Sequence, residues 1–208
     1  KSDDKGRNAK RSIDVTDGDG TTHHFVGRLA ADGTVYWEQP DGVHLYLRQF
    51  STTDATRKWA ITRPDRVTYF FDADGYPTGT EDANGNRVTY TLERTPTGDD
   101  DDDDEGRRLK KRIVKVTDAA GSTATPALNR SYTISYWTKA TASKSRVRGK
   151  IRKIADHSGS ELTFAYYEDG NLLRVAQTGG VKADGSQLVS RAWYFTYTTP
   201  SGNGPAIA

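Results

Sequence analysis

Residues 66–92 read RVTYFFDADGYPTGTEDANGNRVTYTL, and the reading of this stretch decides the fold. RVTYFF and RVTYTL are rich in β-branched and aromatic residues with a period of two, as pleated strands are. Val67, Tyr69 and Phe71 fall on one face, and Thr68 and Phe70 on the other. Between them, Asp72-Ala73-Asp74-Gly75 and Asp82-Ala83-Asn84-Gly85 each offer an Asp that can bond its own backbone and a Gly that accepts positive φ. The stretch therefore predicts strand, turn, short strand, turn, strand.

The same unit recurs outward from there, and repetition takes precedence over any local motif. Asp156 to Gly159 precedes LTFAYY, and Asp169-Gly170-Asn171 turns the chain back. Asp118 to Gly121 precedes the strand SYTISY after a looser segment around Pro126. Asp17 to Gly20 precedes TTHHFV, Asp32-Gly33 precedes TVYW, and Asp41-Gly42 precedes VHLYLR. Five DxxG turns, each beside a Thr/Tyr/Phe/Val-rich segment, predict an all-β chain of antiparallel hairpins. Trp193, Phe195 and Tyr197 alternate in the last strong strand. Gly, Asp-Gly or Pro interrupts most windows before two helical turns could form, so almost no helix is expected.

Composition narrows the function classes. Hydrophobic residues make up 34% of the 208, and mean hydropathy is −0.80. Alone this would favour disorder, but 11 Tyr, 6 Phe and 4 Trp can cover pleated surfaces with one polar end wet. Lys and Arg total 30 against 28 Asp and Glu, and a net charge of +2 gives no field that calls for nucleic acid or an anionic membrane. The absence of Cys excludes a disulfide framework and thiolate chemistry. No apolar stretch is long enough for a membrane-spanning helix. The polar start at Lys1 is not a signal peptide, and with no Met in the chain an excised internal fragment is expected, any export signal lying upstream.

Two segments depart from the hairpin pattern. An acidic loop at 95–106, containing Asp99 to Asp104 and Glu105, repels itself and lacks an apolar anchor, which predicts a mobile connection. KSRVRGKIRK, from Lys144 to Lys153, alternates, with Lys144, Arg146, Arg148, Lys150 and Arg152 on one face and Val147 and Ile151 on the other. It is expected to be a half-buried strand with a basic outer face that discourages edge pairing.

Phe71 through Glu93, FDADGYPTGTEDANGNRVTYTLE within the longer unit, resembles the RHS or YD repeat, and ADHSGSELTFAYYEDGNLLRV resembles a second copy. DGTVYWEQPDGVHLYLR, before Arg63, looks like the segment that precedes such repeats in long actinobacterial members. The resemblance is closest over roughly residues 60–93 and 150–200. It implies a curved, spiralling sheet of hairpin repeats: an N-terminal β segment over 1–62, then repeats over 63–208. It further implies a secreted or cell-surface bacterial protein. In that family the sheet forms a shell that encloses or presents a C-terminal toxin or effector domain, so the implied partners are the remaining repeats and that domain. Related animal proteins serve cell-surface adhesion.

The side chains that could carry chemistry are few. The Asp-rich turns could bind calcium through several oxygens, yet none has EF-hand spacing and a terminal Glu. Asp17, Asp72, Asp82, Asp118 and Asp156, with Gly20, Gly75, Gly85, Gly121 and Gly159, are read as turn formers. His23 and His24 point to opposite faces of one strand, and only one could join His44 at a metal. His157 sits between Asp156 and Ser158 in a turn slot that other copies fill with Ala-Asn or Ala-Asp, which makes it filler and not part of a triad. No GxSxG, P-loop or dinucleotide motif occurs. A non-enzymatic scaffold without cofactor or metal is the expectation. The rival is a carbohydrate- or cell-surface-binding module, with Trp37, Trp59, Trp137 and Trp193 as candidate sugar-stacking rings.

Overall fold

Short aromatic segments bounded by Asp-Gly bends leave the backbone few options besides tight antiparallel ribbons. The computed structural model describes residues 11–95, 111–119, 130–180, 184–186 and 190–197, and among them it is all-β. Within each of its two sheets the strands lie in sequence order, neighbour beside neighbour. The chain divides into two compact units, Lys1–Val88 and Thr89–Ala208.

In the first unit β1 (Ser12–Thr16), β2 (Thr22–Leu29) and β3 (Val35–Glu38) form a three-stranded sheet. β4 (Tyr46–Gln49), β5 (Trp59–Thr62), β6 (Thr68–Phe71) and β7 (Pro77–Glu81) follow as a second run of neighbours. Alternation decides what is buried. Leu47 opposes Ile61, and Ile61 opposes Tyr69. Leu47 and Ile61 join the fully buried Phe25, and Ile13, Val15, Trp37, Leu45, Trp59 and Phe71 pack against that cluster. Gly27 lets β1 come close: a Cβ there would lie 3.1 Å from Arg11 Cβ and 3.3 Å from the Trp37 ring. On the opposite side of β6, Phe70 is buried between the guanidinium groups of Arg57 and Arg87, 5.1 and 4.7 Å from its ring centre.

The second unit takes up β8 (Arg87–Arg94), which begins in the first, and continues through β9 (Lys111–Thr117), β10 (Ser131–Tyr136), β11 (Ile151–Asp156), β12 (Glu161–Tyr166), β13 (Leu172–Thr178) and β14 (Arg191–Tyr194). A bulge recurs at alternate ribbons. Pairing slips between Thr91 and Leu92, between Ser135 and Tyr136, and between Ala165 and Tyr166, so Val114, Arg152 and Leu173 have no opposite residue. The phenol of a tyrosine then donates to the carbonyl beside each slip: Tyr136 to Ile113 at 2.6 Å, Tyr166 to Ile151 at 3.0 Å and Tyr197 to Leu172 at 2.9 Å. Each ribbon is thereby fastened to the next where its ladder is interrupted.

The tight turns share one design. In 72–76 the Asp72 amide donates to the Tyr76 carbonyl, the Gly75 amide donates to the Asp72 carbonyl, and Gly75 sits at φ +88°. The same two backbone bonds close 17–21, 30–34, 63–67, 82–86, 156–160 and 167–171. The 63–67 turn was not anticipated from sequence, because its left-handed position holds Arg66, at φ +66°, where a glycine is expected.

One sequence expectation is corrected. Lys144 to Lys153 does not form a basic-faced strand: Ser145–Val147 is a 3-10 turn, and strand begins only at Ile151. Gly149 at φ +77° breaks the run, and its amide donates to the Trp137 carbonyl, 2.8 Å away. Arg148 turns inward to donate to the carbonyls of Ala142 and Ser143. Alternating basic and apolar residues mimic a strand, but a loop that buries Val147 and cross-bonds its own carbonyls satisfies the same pattern.

Candidate functional site

Register gives the sheet of the second unit two chemically different faces. Rows on one face run Tyr90–Val116–Tyr132–Asp156, Ile134–Ile154–Leu162–Gln177–Arg191 and Phe164–Val175–Trp193. Rows on the other run Thr89–Thr117–Ser131, Thr91–Lys115–Thr133–Ala155–Glu161–Thr178, Ser135–Lys153–Thr163–Ala176–Ala192 and Ala165–Arg174–Tyr194. The first face is mainly apolar and aromatic, with Asp156, Gln177 and Arg191 at the ends of its rows, while the other carries mostly small, hydroxylated and charged residues. Among its described residues this unit buries only small or medium apolar side chains, Ala142, Val147 and Ala176. The large residues of the apolar face are therefore left half-covered, which a second layer would correct.

The polar face carries a groove of about 700 Å³ lined by Ser135, Trp137, Arg152, Lys153, Thr163 and Arg174 among others. Lys153 is held by Glu161 at 2.7 Å. The Arg152 guanidinium lies 5.1 Å from the Trp137 ring centre, and the indole N–H of Trp137 donates to the Phe164 carbonyl at 3.2 Å.

In the first unit a cleft of about 330 Å³ separates β1 from β5 and β6, lined by Ile13, Val15, Leu47, Trp59, Ile61 and Phe71. A second, of about 640 Å³, opens where Tyr36 and Tyr46 meet the row Tyr46–Thr62–Thr68–Glu81. Tyr36 and Tyr46 are 54% and 58% exposed, and the Thr62 and Thr68 hydroxyls bond each other at 3.0 Å.

The four tryptophans separate. Trp37 and Trp59 meet edge to face, 5.6 Å apart, against the core. Trp137 lines the cationic groove, and Trp193 lies 48% exposed on β14. The rings most open to a ligand, Tyr36, Tyr46 and Tyr194, were not singled out from sequence, because period-two alternation does not say which face a second layer will cover.

The turn carboxylates are directed at their own backbones. Asp72 accepts from the amides of Asp74 and Tyr76, and Asp82 from those of Asn84 and Asn86, all at 2.9 Å. Bonds from the Asn86 side chain and amide hold the Asp82 carboxyl below its ordinary range. For Asp156, burial pushes the carboxyl up, but bonds from Ser158 and Ser160 outweigh it and the net direction is down. In 17–21 the work is divided: Asp17 accepts from Gly18, and Asp19 from Thr21. The Asp118 amide donates to the Arg130 carbonyl, while Gly121, Pro126 and residues 96–106 of the acidic segment lie outside the described residues. His24 bonds Asp14 across β1 and β2 at 2.6 Å. Among the described residues no three His, Asp or Glu side chains gather as a metal would require, and no helix is long and apolar enough to cross a membrane.

No protein-family model matches the chain, and no curated protein matches it. Solved structures similar to it include a porin-like protein from Bacteroides uniformis, at 13% identity and TM-score 0.28, covering 82% of this chain and 88% of that one. Another is the TcdB2-TccC3-Cdc42 structure, at 13% identity and TM-score 0.17, covering 87% of this chain and 12% of that one. A third is TcdB2-TccC3 without its hypervariable C-terminal region, at 14% identity and TM-score 0.17, covering 86% and 12%. Likenesses this distant carry no argument about what the chain does.

Proposed function

We propose that the chain is a non-enzymatic structural segment of a large secreted protein of the RHS/YD-repeat kind, building part of a β-shell that encloses or presents a C-terminal toxin or effector domain. The observation that carries this reading is the two-faced sheet of the second unit. Its apolar rows, from Ile134 to Trp193, are left half-covered, as a surface that packs against another polypeptide would be. The resemblance of residues 71–93 and 155–175 to the repeat unit supports it independently.

Photo-crosslinking within the full-length parent protein tests the reading. A photoreactive residue replacing Phe164 or Val175 is expected to capture the C-terminal domain, while one replacing Thr163 or Ala176 on the opposite face is not. Capture from the polar face alone, or from neither face, would overturn it.

A second reading, a carbohydrate- or cell-surface-binding module, is favoured by the cleft at Tyr36 and Tyr46. There two exposed rings stand beside the Thr62 and Thr68 hydroxyls, a combination suited to a sugar's apolar face and its hydroxyl groups. It predicts saturable glycan-array binding that falls at least tenfold in Tyr46→Ala, and no binding across a broad array would remove it.

A further inference from the structure

The groove on the polar face of the second unit is built around a narrow floor. Thr163 and Ala165 of β12 are short, and longer side chains flank them: Arg152 and Lys153 from β11, and Arg174 from β13. The two flanking strands lie two strand spacings apart, roughly 10 Å. The slip between Ser135 and Tyr136 leaves Arg152 without an opposite residue, and it lines the groove together with its neighbour Lys153. Strict alternation would send one of the two to the other face, so the bulge is what gathers both cations here.

The charges in this groove do not cancel. Lys153 bonds Glu161 at 2.7 Å, but among the described residues neither Arg152 nor Arg174 bonds a carboxylate or any other acceptor. Arg174 is moreover half-buried, where an unanswered guanidinium costs more than in open water. Arg152 stacks on Trp137, 5.1 Å from the ring centre, and the ring is itself held by the bond from its indole N–H to the Phe164 carbonyl. A guanidinium lying on a ring keeps the N–H groups at its edge for a planar oxyanion.

The rest of the lining selects among anions. An acidic peptide brings backbone groups that need partners, and on the face of a sheet the strand backbones are already spent in their ladders. A nucleic acid brings a phosphate on every nucleotide, more charge than two unpaired guanidiniums answer in a chain of net charge +2. A saccharide needs fixed hydroxyl partners and a ring edge, which are present. The Ser135 hydroxyl has no partner among the described residues, and that of Thr163 donates to the Ala176 carbonyl at 3.3 Å and still accepts. At about 700 Å³ the groove has the size of small-ligand sites, about 300–1,000 Å³.

We infer that this groove binds an acidic saccharide, a sugar chain bearing uronic-acid carboxylates, with Arg152 and Arg174 taking carboxylates and Ser135 and Thr163 taking hydroxyls. The inference is independent of the shell reading, since the groove lies on the face opposite the rows that reading assigns to the cargo. It is also separate from the cleft at Tyr36 and Tyr46.

Calorimetric titration of the whole chain with trigalacturonate and with trimannuronate tests it. Saturable binding of at least one is expected, about tenfold or more tighter than binding of its methyl ester, which keeps the hydroxyls and removes the charge. Arg152→Gln and Arg174→Gln should each weaken binding by about tenfold or more while leaving the urea unfolding midpoint close to that of the unsubstituted chain. Tyr46→Ala should leave uronate binding unchanged. No saturable binding of either uronate would overturn the inference. So would equally tight binding of the esters, of a triglutamate peptide or of a short single-stranded oligonucleotide, or arginine variants that bind undiminished. Loss of binding in Tyr46→Ala alone would overturn it in favour of the other cleft.

Discussion

The phenol of Tyr136 donates to the carbonyl of Ile113 at 2.6 Å, across the point where the β8–β9 ladder slips by one residue. Arg112 lies 4.4 Å from the Tyr136 ring centre and bonds Glu93 at 2.8 Å, so a cation and a carboxylate frame the bond. A bulge frees a carbonyl, and a half-buried carbonyl without a donor is costly. Removing only the hydroxyl, in Tyr136→Phe, is expected to destabilise the chain by about 1–2 kcal/mol. Urea unfolding followed by tryptophan fluorescence reads this out, and an unchanged midpoint would show that the bond contributes nothing.

Alkali should act on the same device. Burial raises the ionisation of Tyr136 and Tyr166 above the ordinary phenol value, with Glu93 adding to the effect at Tyr136 and Arg112 opposing it. A group whose folded value is raised stabilises the fold below its unfolded value and loses that contribution as pH rises through the folded one. Thermal stability is therefore expected to fall as pH rises past about 10, the unperturbed tyrosine value. Tyr136→Phe/Tyr166→Phe together should flatten the decline.

Acid should act on the turns. Hydrogen bonds hold Asp19, Asp32, Asp54, Asp82 and Asp184 below the ordinary carboxylate value, led by the Thr21 amide for Asp19 and by the side chains of Thr34, Thr56, Asn86 and Ser186 for the others. Depressed carboxyls contribute above their unfolded value and cease to as pH falls through the folded one. Melting temperature measured from pH 7 down to pH 2 should hold until about pH 4 and then drop. In Asp82→Ala the drop should be shallower and the neutral-pH melting temperature lower, because Asn84 and Asn86 lose their acceptor.

Arg66 occupies a left-handed position that glycine takes in the related turns. Arg66→Gly is expected to stabilise the chain by about 0.5–1 kcal/mol, the relief of backbone strain exceeding the added freedom of the unfolded chain. Denaturant titration would show it as a higher midpoint at unchanged slope, and a lower midpoint would count against the strain argument.

Phe25 is 0% exposed at the centre of the first unit, where Leu47 and Ile61 meet it. Phe25→Ala should cost about 3–5 kcal/mol. Tyr46→Ala, on the outward face, should leave the unfolding midpoint nearly unchanged, which separates a core role from a surface role.

The residues alone determined the hairpins. Asp72 to Gly75 and Asp82 to Gly85 bend the chain by local chemistry, an Asp carboxylate bonding the next amides and a Gly taking positive φ, and alternation around Tyr69 and Phe70 names two opposite faces before any contact is known. Local rules failed where distant groups decide. Arg66 takes a glycine's place because the flanking ladders fix the turn, and the run from Lys144 to Lys150 is a loop because Trp137 and Ala142 supply its bonding partners. Only the tertiary structure decided that Trp37 and Trp59 go to the core while Tyr46 and Trp193 stay open, and that tyrosines fasten successive bulges. Period two distinguishes one face from the other, but which of them is covered depends on packing between elements far apart in the chain.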